Sequence, residues 1–169
     1  KLIKKSKYGQ SYLIGANNPV NLTTIYCLPL AIISFLDDLI KVSSIYRYLA
    51  QLFCSLLVIS QLNPDLFDLK HGLILILLIL FMTSIINFTN FMDGSDGLVS
   101  LNLLAFFIIL ILEGSVNLDI YLLIGSLVPF VIWNWSPAKI FMGDVGSTFL
   151  GIYFLANLLA LQNFENIFR

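Results

Sequence analysis

The sequence predicts an all-α fold: a polytopic integral membrane helical bundle of about six transmembrane helices, forming one domain over residues 1–169. Three observations predict it. Apolar residues make up 59% of the chain and charged residues 11%, against about 25% charged in a soluble domain. Mean hydropathy is +0.92. The charges that do occur are spaced so that six charge-free gaps remain, each near or above the roughly 17 residues a spanning helix needs. A β-barrel would alternate apolar and polar positions, whereas Leu73–Phe81 and Phe106–Leu112 are apolar throughout.

The gaps lie at 8–36, 48–64, 72–92, 97–112, 120–138 and 145–164. In the first, the apolar part is Leu22–Leu36, after the polar Asn17, Asn18 and Asn21, and it stops at Asp37-Asp38. The second runs from the charge at Arg47 to a polar turn, Asn63–His71. The third is apolar from Leu73 and ends at the turn pair Asp93-Gly94; the fourth is short and ends at Glu113. The fifth lies between Asp119 and Lys139, and the sixth follows Asp144, with Ser147 as its expected N-cap. Pro29 and Pro129 fall inside apolar helices, where they predict kinks whose freed carbonyls neighbouring helices satisfy. Cys27 and Cys54 lie in apolar runs and read as small buried hydrophobes. The chain opens at Lys1 without a targeting pattern and is expected to be part of a longer protein.

Because successive spans alternate direction, the connections after helices one, three and five share one side of the membrane. That side receives Asp37-Asp38 with Lys41 and Arg47, then Asn87–Asp96, then Lys139–Asp144. The other side receives Asn63–His71 and Glu113–Asp119. Lys and Arg in these loops number three (Lys41, Arg47, Lys139) against one (Lys70), which puts the acidic motifs in the cytoplasm; Lys1, Lys4, Lys5 and Lys7 count against that orientation. With 9 basic and 10 acidic residues there is no basic field for nucleic acid.

Five of the eight Asp (Asp37, Asp38, Asp93, Asp96, Asp144) fall at the ends of helices on that one side. Gathered carboxylates repel unless a cation sits among them, and an oxygen-only ligand set suits Mg²⁺ or Mn²⁺. His71, the single histidine, lies on the far side, so a histidine-based metal site is not expected. The densest cluster is Asn87-Phe-Thr-Asn90-Phe-Met-Asp93-Gly94-Ser-Asp96-Gly97-Leu98. Asn87 and Asn90 share a helix face, and the two Asp-Gly pairs end the helix, so polar side chains at spacing three converge where backbone can approach a phosphate closely. The second cluster, Pro137-Ala-Lys139-Ile-Phe141-Met-Gly143-Asp144-Val-Gly146-Ser147, aims the amides of the sixth helix at an anion. Asp37-Asp38 is the third.

The strings NFTNFMDGSDGL, AKIFMGDVGSTFLG and FLDDL followed by RYLAQL, in this order and spacing, resemble the polyprenyl-phosphate N-acetylhexosamine-1-phosphate transferase family, which includes the phospho-N-acetylmuramoyl-pentapeptide transferases. The match runs from about residue 22 to 155, and NFMDG with PAKIFMGDVGS looks more like members that start O-antigen, enterobacterial-common-antigen or teichoic-acid-type glycans. The resemblance implies a multi-pass protein of the bacterial inner membrane. It implies transfer of a sugar-1-phosphate from a UDP-N-acetylhexosamine to undecaprenyl phosphate, releasing UMP, with Mg²⁺ (or Mn²⁺) as cofactor. It further implies that Asp144 is the metal ligand, that Asn90, Asp93 and Asp96 line the nucleotide pocket with Asn87 beside them, and that Phe141 stacks on uracil. Asp37 and Asp38 would face the lipid phosphate, their division into base, nucleophile or metal-shell member left open, with Asp93 and Asp144 completing the catalytic set. Arg47, before Tyr48-Leu49-Ala50-Gln51, and Lys139 would contact phosphate. The family's N-terminal spans and its downstream histidine-containing loop are absent from this chain, and a homodimer stays open as a partner state.

Two other readings compete. A muramoyl-pentapeptide transferase is the near alternative. A cation-coupled transporter is the distant one, but it calls for acids at mid-span, whereas these lie at helix ends beside glycine turns. An intramembrane aspartyl protease would need Gly where Phe141 stands, a prenyltransferase DDxxD is broken by Lys41, and a CDP-alcohol phosphotransferase would want Ala-Arg at Ser95-Asp96.

Overall fold

The computed structural model describes residues 22–62, 64–112 and 118–161. Among the described residues there are six α-helices and no strand: α1 (Leu22–Ile40), α2 (Ser44–Leu62), α3 (Gly72–Met92), α4 (Leu98–Leu112), α5 (Leu118–Asn134) and α6 (Gly143–Leu161), with two 3₁₀ turns, Pro64–Phe67 and Leu69–His71, between α2 and α3. By length and apolarity α1, α2, α3 and α6 are able to cross a membrane, while α4 and α5 are apolar but shorter, at 15 and 17 residues. Large apolar side chains point outward, among them Leu73 (72% exposed) and Ile132 (71%), as a bilayer solvent requires.

The core is arranged around α6, which packs most extensively on α1 and α3; α2 lies against α1, and α5 against α4. Ile152, Tyr153, Leu155 and Ala156 of α6 are buried with Cys27 and Leu30 of α1, Met82 and Ile86 of α3, and Phe107 of α4. A Cβ added at Gly151 would stand 3.2 Å from Thr89 Cβ and 3.5 Å from Ile86 Cα, so α3 and α6 approach closely only because this position has no side chain. Edge-to-face packing of Phe106 on Phe154 (4.5 Å) ties α4 to the same helix. Polar ties are few and specific: Ser34 Oγ with Thr148 Oγ1 (2.9 Å) joins α1 to α6, and Thr24 donates to Asp119 Oδ2 (2.7 Å) at the opposite end. Cys27 and Cys54 are buried free thiols, and Pro29 and Pro129 lie inside α1 and α5.

Several boundaries differ from the charge-gap reading. α1 continues through Asp37 and Asp38 to Ile40, and α2 starts at Ser44, before Arg47. A charge at a membrane surface does not have to end a helix when it has a partner, and Asp37 and Arg47 pair with each other. α5 stops at Asn134 rather than 138, because the chain leaves the helix at Trp135 and Pro137 keeps Ser136 out of helical geometry. α6 starts at Gly143, so Ser147 is not an N-cap; it lies a turn inside the helix and donates to the Gly143 carbonyl (2.8 Å). The Lys-rich segment, the connection 113–117 and the tail 162–169 lie outside the described residues.

Candidate active site

The alternating helices bring all three motif clusters to one end of the bundle. The last turn of α1 supplies Asp37 and Asp38, the first turn of α2 Arg47, and the end of α3 Asn90 with Asp93 at its C-cap. The first turn of α6 supplies Gly143 and Asp144, and the next turn begins with Ser147. α3 ends where it does because Asp93-Gly94 and Asp96-Gly97 turn the chain, Gly97 at φ +70°. Gly143 also sits at φ +70°, which delivers the chain from the 135–142 loop into α6 and puts Asp144 in the first turn, where a carboxylate meets the positive end of the helix dipole.

Asp144 is held from two sides. Asn90 Nδ2 donates to its Oδ1 (2.8 Å) and to Ser147 Oγ (2.9 Å), and Arg47 Nη2 stands 3.4 Å from its Oδ2. The same guanidinium donates through Nη1 to Asp37 Oδ2 (2.6 Å), so Arg47 bridges the DD motif and the Gly-Asp motif. The Gly143 amide donates to Asp93 Oδ2 (3.1 Å), and a Cβ on Gly143 would lie 4.0 Å from Asp38 Oδ2. Two carboxylates thus share one guanidinium, and the Gly143 turn lies beside Asp93 and Asp38. Burial pushes the Asp93 carboxyl up to about 6; the amide of Gly143 pulls it back, and the neighbouring Asp144 charge raises it again.

The remaining predicted residues have different surroundings. Asn87 lies one turn deeper, with both amide hydrogens committed, to Gln51 Oε1 (3.1 Å) and the Thr83 carbonyl (2.9 Å), and its oxygen accepting from Gln51 Nε2 (2.9 Å). Asp96 accepts from the Ala138 amide (3.0 Å) and so clips the 135–142 loop to the DGSDG turn. Phe141 projects from that loop, 66% exposed, and Lys139 lies over the Trp133 ring at 5.0 Å. Two residues had no role in the sequence reading, although Gln51 stands in its RYLAQL string. Asn134, 2% exposed, accepts from Gly97 N (3.1 Å) and Ser100 Oγ (2.8 Å) and donates to the Ile140 carbonyl (2.9 Å), joining the two motif loops. Gln51, 3% exposed, is the partner of Asn87. The only sequence signal for Asn134 is an amide between two Trp at the end of an apolar helix.

Among the described residues no group of three acidic, His or Cys side chains is close enough to cage a metal ion alone. The donor set nonetheless fits a hard cation that keeps most of its shell as water and substrate phosphate, because one or two carboxylates with excess negative charge around them are what such an ion takes from a protein. Asp144 and Asp93 are the candidates to hold it.

The glycosyl transferase family 4 pattern matches residues 20–162. The chain belongs to that family. It is similar to a phospho-N-acetylmuramoyl-pentapeptide-transferase of Streptococcus pyogenes, 37% identical over 111 residues that cover 62% of this chain and 33% of the relative. It is 32% identical to the protein of the same name in Streptococcus equi subsp. zooepidemicus, covering 78% of this chain and 46% of the relative. It is 30% identical to a probable undecaprenyl-phosphate N-acetylglucosaminyl 1-phosphate transferase of Bacillus subtilis over 159 residues, 85% of this chain and 44% of the relative. The chain therefore spans less than half the length of these relatives. Both branches match this glycosyl transferase family 4 chain, so the preference for glycan-initiating members drawn from NFMDG and PAKIFMGDVGS finds no support here. No solved structure matches it.

Proposed function

We propose that the whole protein transfers a sugar-1-phosphate of the N-acetylhexosamine type from a UDP-sugar to undecaprenyl phosphate at the cytoplasmic face of a bacterial membrane, releasing UMP. One observation carries this reading: the three motif clusters converge at one end of an apolar bundle, with Asp37, Arg47, Asn90 and Asp144 in a continuous chain of contacts. That is where a lipid phosphate and a soluble nucleotide sugar are able to meet. In the transfer, a lipid phosphate oxygen forms a bond to the β-phosphorus of the UDP-sugar, and the bond from that phosphorus to the bridging oxygen breaks, so that UMP leaves with the electron pair.

The chain's own residues position and exclude rather than form covalent bonds. Arg47, whose guanidinium has donors beyond the two contacts with Asp37 and Asp144, offers the remainder to phosphate oxygens. Phe141, held out from the loop by the Asp96 and Asn134 clips, offers a free ring face to a uracil base. Asp144 and Asp93 would hold Mg²⁺ or Mn²⁺, which when bound supplies charge neutralisation across the diphosphate. Asp37 and Asp38, in the last turn of α1, would face the lipid phosphate.

The names of the relatives divide between a muramoyl-pentapeptide donor and an N-acetylglucosaminyl donor, and both lie within this proposal. Full-length protein in membranes, given undecaprenyl phosphate and each UDP-sugar in turn, tests it: lipid-dependent UMP release supports the reading and the best donor names the sugar. Release from none of the donors overturns it.

A further inference from the structure

Asp144 is gripped by two helices at once, Arg47 reaching it from α2 and Asn90 from α3. Arg47 is four residues before Gln51 on one face of α2, and Asn90 is three after Asn87 on one face of α3. Gln51 and Asn87 face each other and exchange two amide hydrogen bonds, 2.9 Å and 3.1 Å long. The pair is therefore the rung one turn below Asp144, joining the same two helices. Gln51 is 3% exposed while Asn87 is exposed on its other side, and a reciprocal amide pair has one geometry that satisfies both partners, so sliding or rotating α2 against α3 breaks two bonds and leaves the buried Gln51 amide unpaired. Both polar atoms of the Gln51 side chain are engaged by Asn87, one turn along the helices from Asp144's partners, so a ligand role for Gln51 does not account for its burial.

We infer that Gln51 is a positioning residue: through Asn87 it sets the register of α2 on α3, and so the spacing of the two groups that hold Asp144. The inference rests on the transferase reading only for what Asp144 does, not for the geometry.

The test uses the full-length protein in detergent, with Mn²⁺ alone as the probe, its affinity read by electron paramagnetic resonance, and UMP release measured in parallel. Gln51→Leu, similar in volume and unable to pair, weakens Mn²⁺ binding roughly three- to twentyfold, the range spanned by single interhelical hydrogen bonds in membranes. Gln51→Glu keeps an acceptor for the Asn87 amide and gives a smaller loss, which also serves if the Leu variant does not fold. In an Asn87→Leu background Gln51→Leu has no further effect, because its action passes through Asn87. Unchanged Mn²⁺ affinity in both Gln51 variants, or the same loss with and without Asn87, overturns the inference. Mn²⁺ binding that responds to Gln51 in a protein that releases no UMP from any donor upholds the inference and overturns the transferase reading instead.

Discussion

Replacing Arg47 by Gln removes the positive charge that bridges Asp37 and Asp144 while keeping most of the side chain's length. Two effects of opposite sign follow. Without cation the variant loses a charge-assisted hydrogen bond to Asp37, whose side chain is 13% exposed, and the weaker contact to Asp144. A hydrogen bond to a charged group contributes about 1.5–3 kcal/mol. Because the Arg47 side chain is itself 30% exposed, solvent screening reduces that to about 1–2 kcal/mol. With a divalent cation the balance shifts: an ion on the carboxylates replaces the lost charge, and a ligand at a hundred times its Kd stabilises by about 2.7 kcal/mol. The assay is the thermal midpoint of the full-length protein in detergent, with chelator and then across a Mg²⁺ series. The variant is expected to melt below wild type in chelator and to gain more from Mg²⁺ than wild type does. A variant as stable as wild type in chelator refutes the bridging role of Arg47, and equal gains from Mg²⁺ refute the competition between guanidinium and cation for the same carboxylates.

Three further outcomes are expected. Gly143→Ala forces a side chain into the left-handed region at φ +70°, costing about 1–2 kcal/mol, and moves the amide that holds Asp93, so activity falls along with the melting temperature; Gly125→Ala, where a Cβ meets nothing within 4 Å, leaves both near wild type. Asp93, raised to about 6 in the cation-free protein, contributes stability that is full below its unfolded value of 3.8 and is lost as pH rises through about 6, whereas its charge is present only above that; Mn²⁺ affinity is therefore expected to weaken as pH falls through about 6 while the apo fold is no less stable there, and an affinity independent of pH from 5 to 8 contradicts the assignment. Phe141→Ala, at a ring 66% exposed, is expected to raise KM for the UDP-sugar about tenfold, from the lost base stacking, with the melting temperature unchanged; an unchanged KM removes Phe141 from the nucleotide pocket.

The fold was legible because a bilayer imposes a single rule on charge, and that rule can be read residue by residue. It placed α3 at 72–92 without error and gave the parity that brings Asp37, Asp93 and Asp144 to one end. The rule misplaced the ends of α1 and α2 because it cannot see that Asp37 and Arg47 neutralise each other across two helices. The site was legible as a set of residue types but not as a set of roles. The family resemblance implies that Asn90, Asp93 and Asp96 line a nucleotide pocket, and the structure adds that each has a protein partner, respectively Asp144, Gly143 N and Ala138 N. Such commitments depend on which helix lies opposite, a long-range fact that no local pattern encodes. Gln51 and Asn134 stayed without a role for the same reason: each is a lone amide in an apolar stretch until its partner is known.

In the proposed transferase the acidic end of this bundle would hold a cation and two phosphates for an exchange between a nucleotide sugar and a lipid phosphate. The most direct measurement is UMP release by Asp144→Asn and wild-type full-length protein, with undecaprenyl phosphate and a panel of UDP-N-acetylhexosamines, in Mg²⁺ and in chelator. The account predicts release that needs lipid, Mg²⁺ and Asp144 together, with the variant inserted in the membrane and folded but inactive. Release that persists in chelator, or turnover retained by Asp144→Asn, would contradict it.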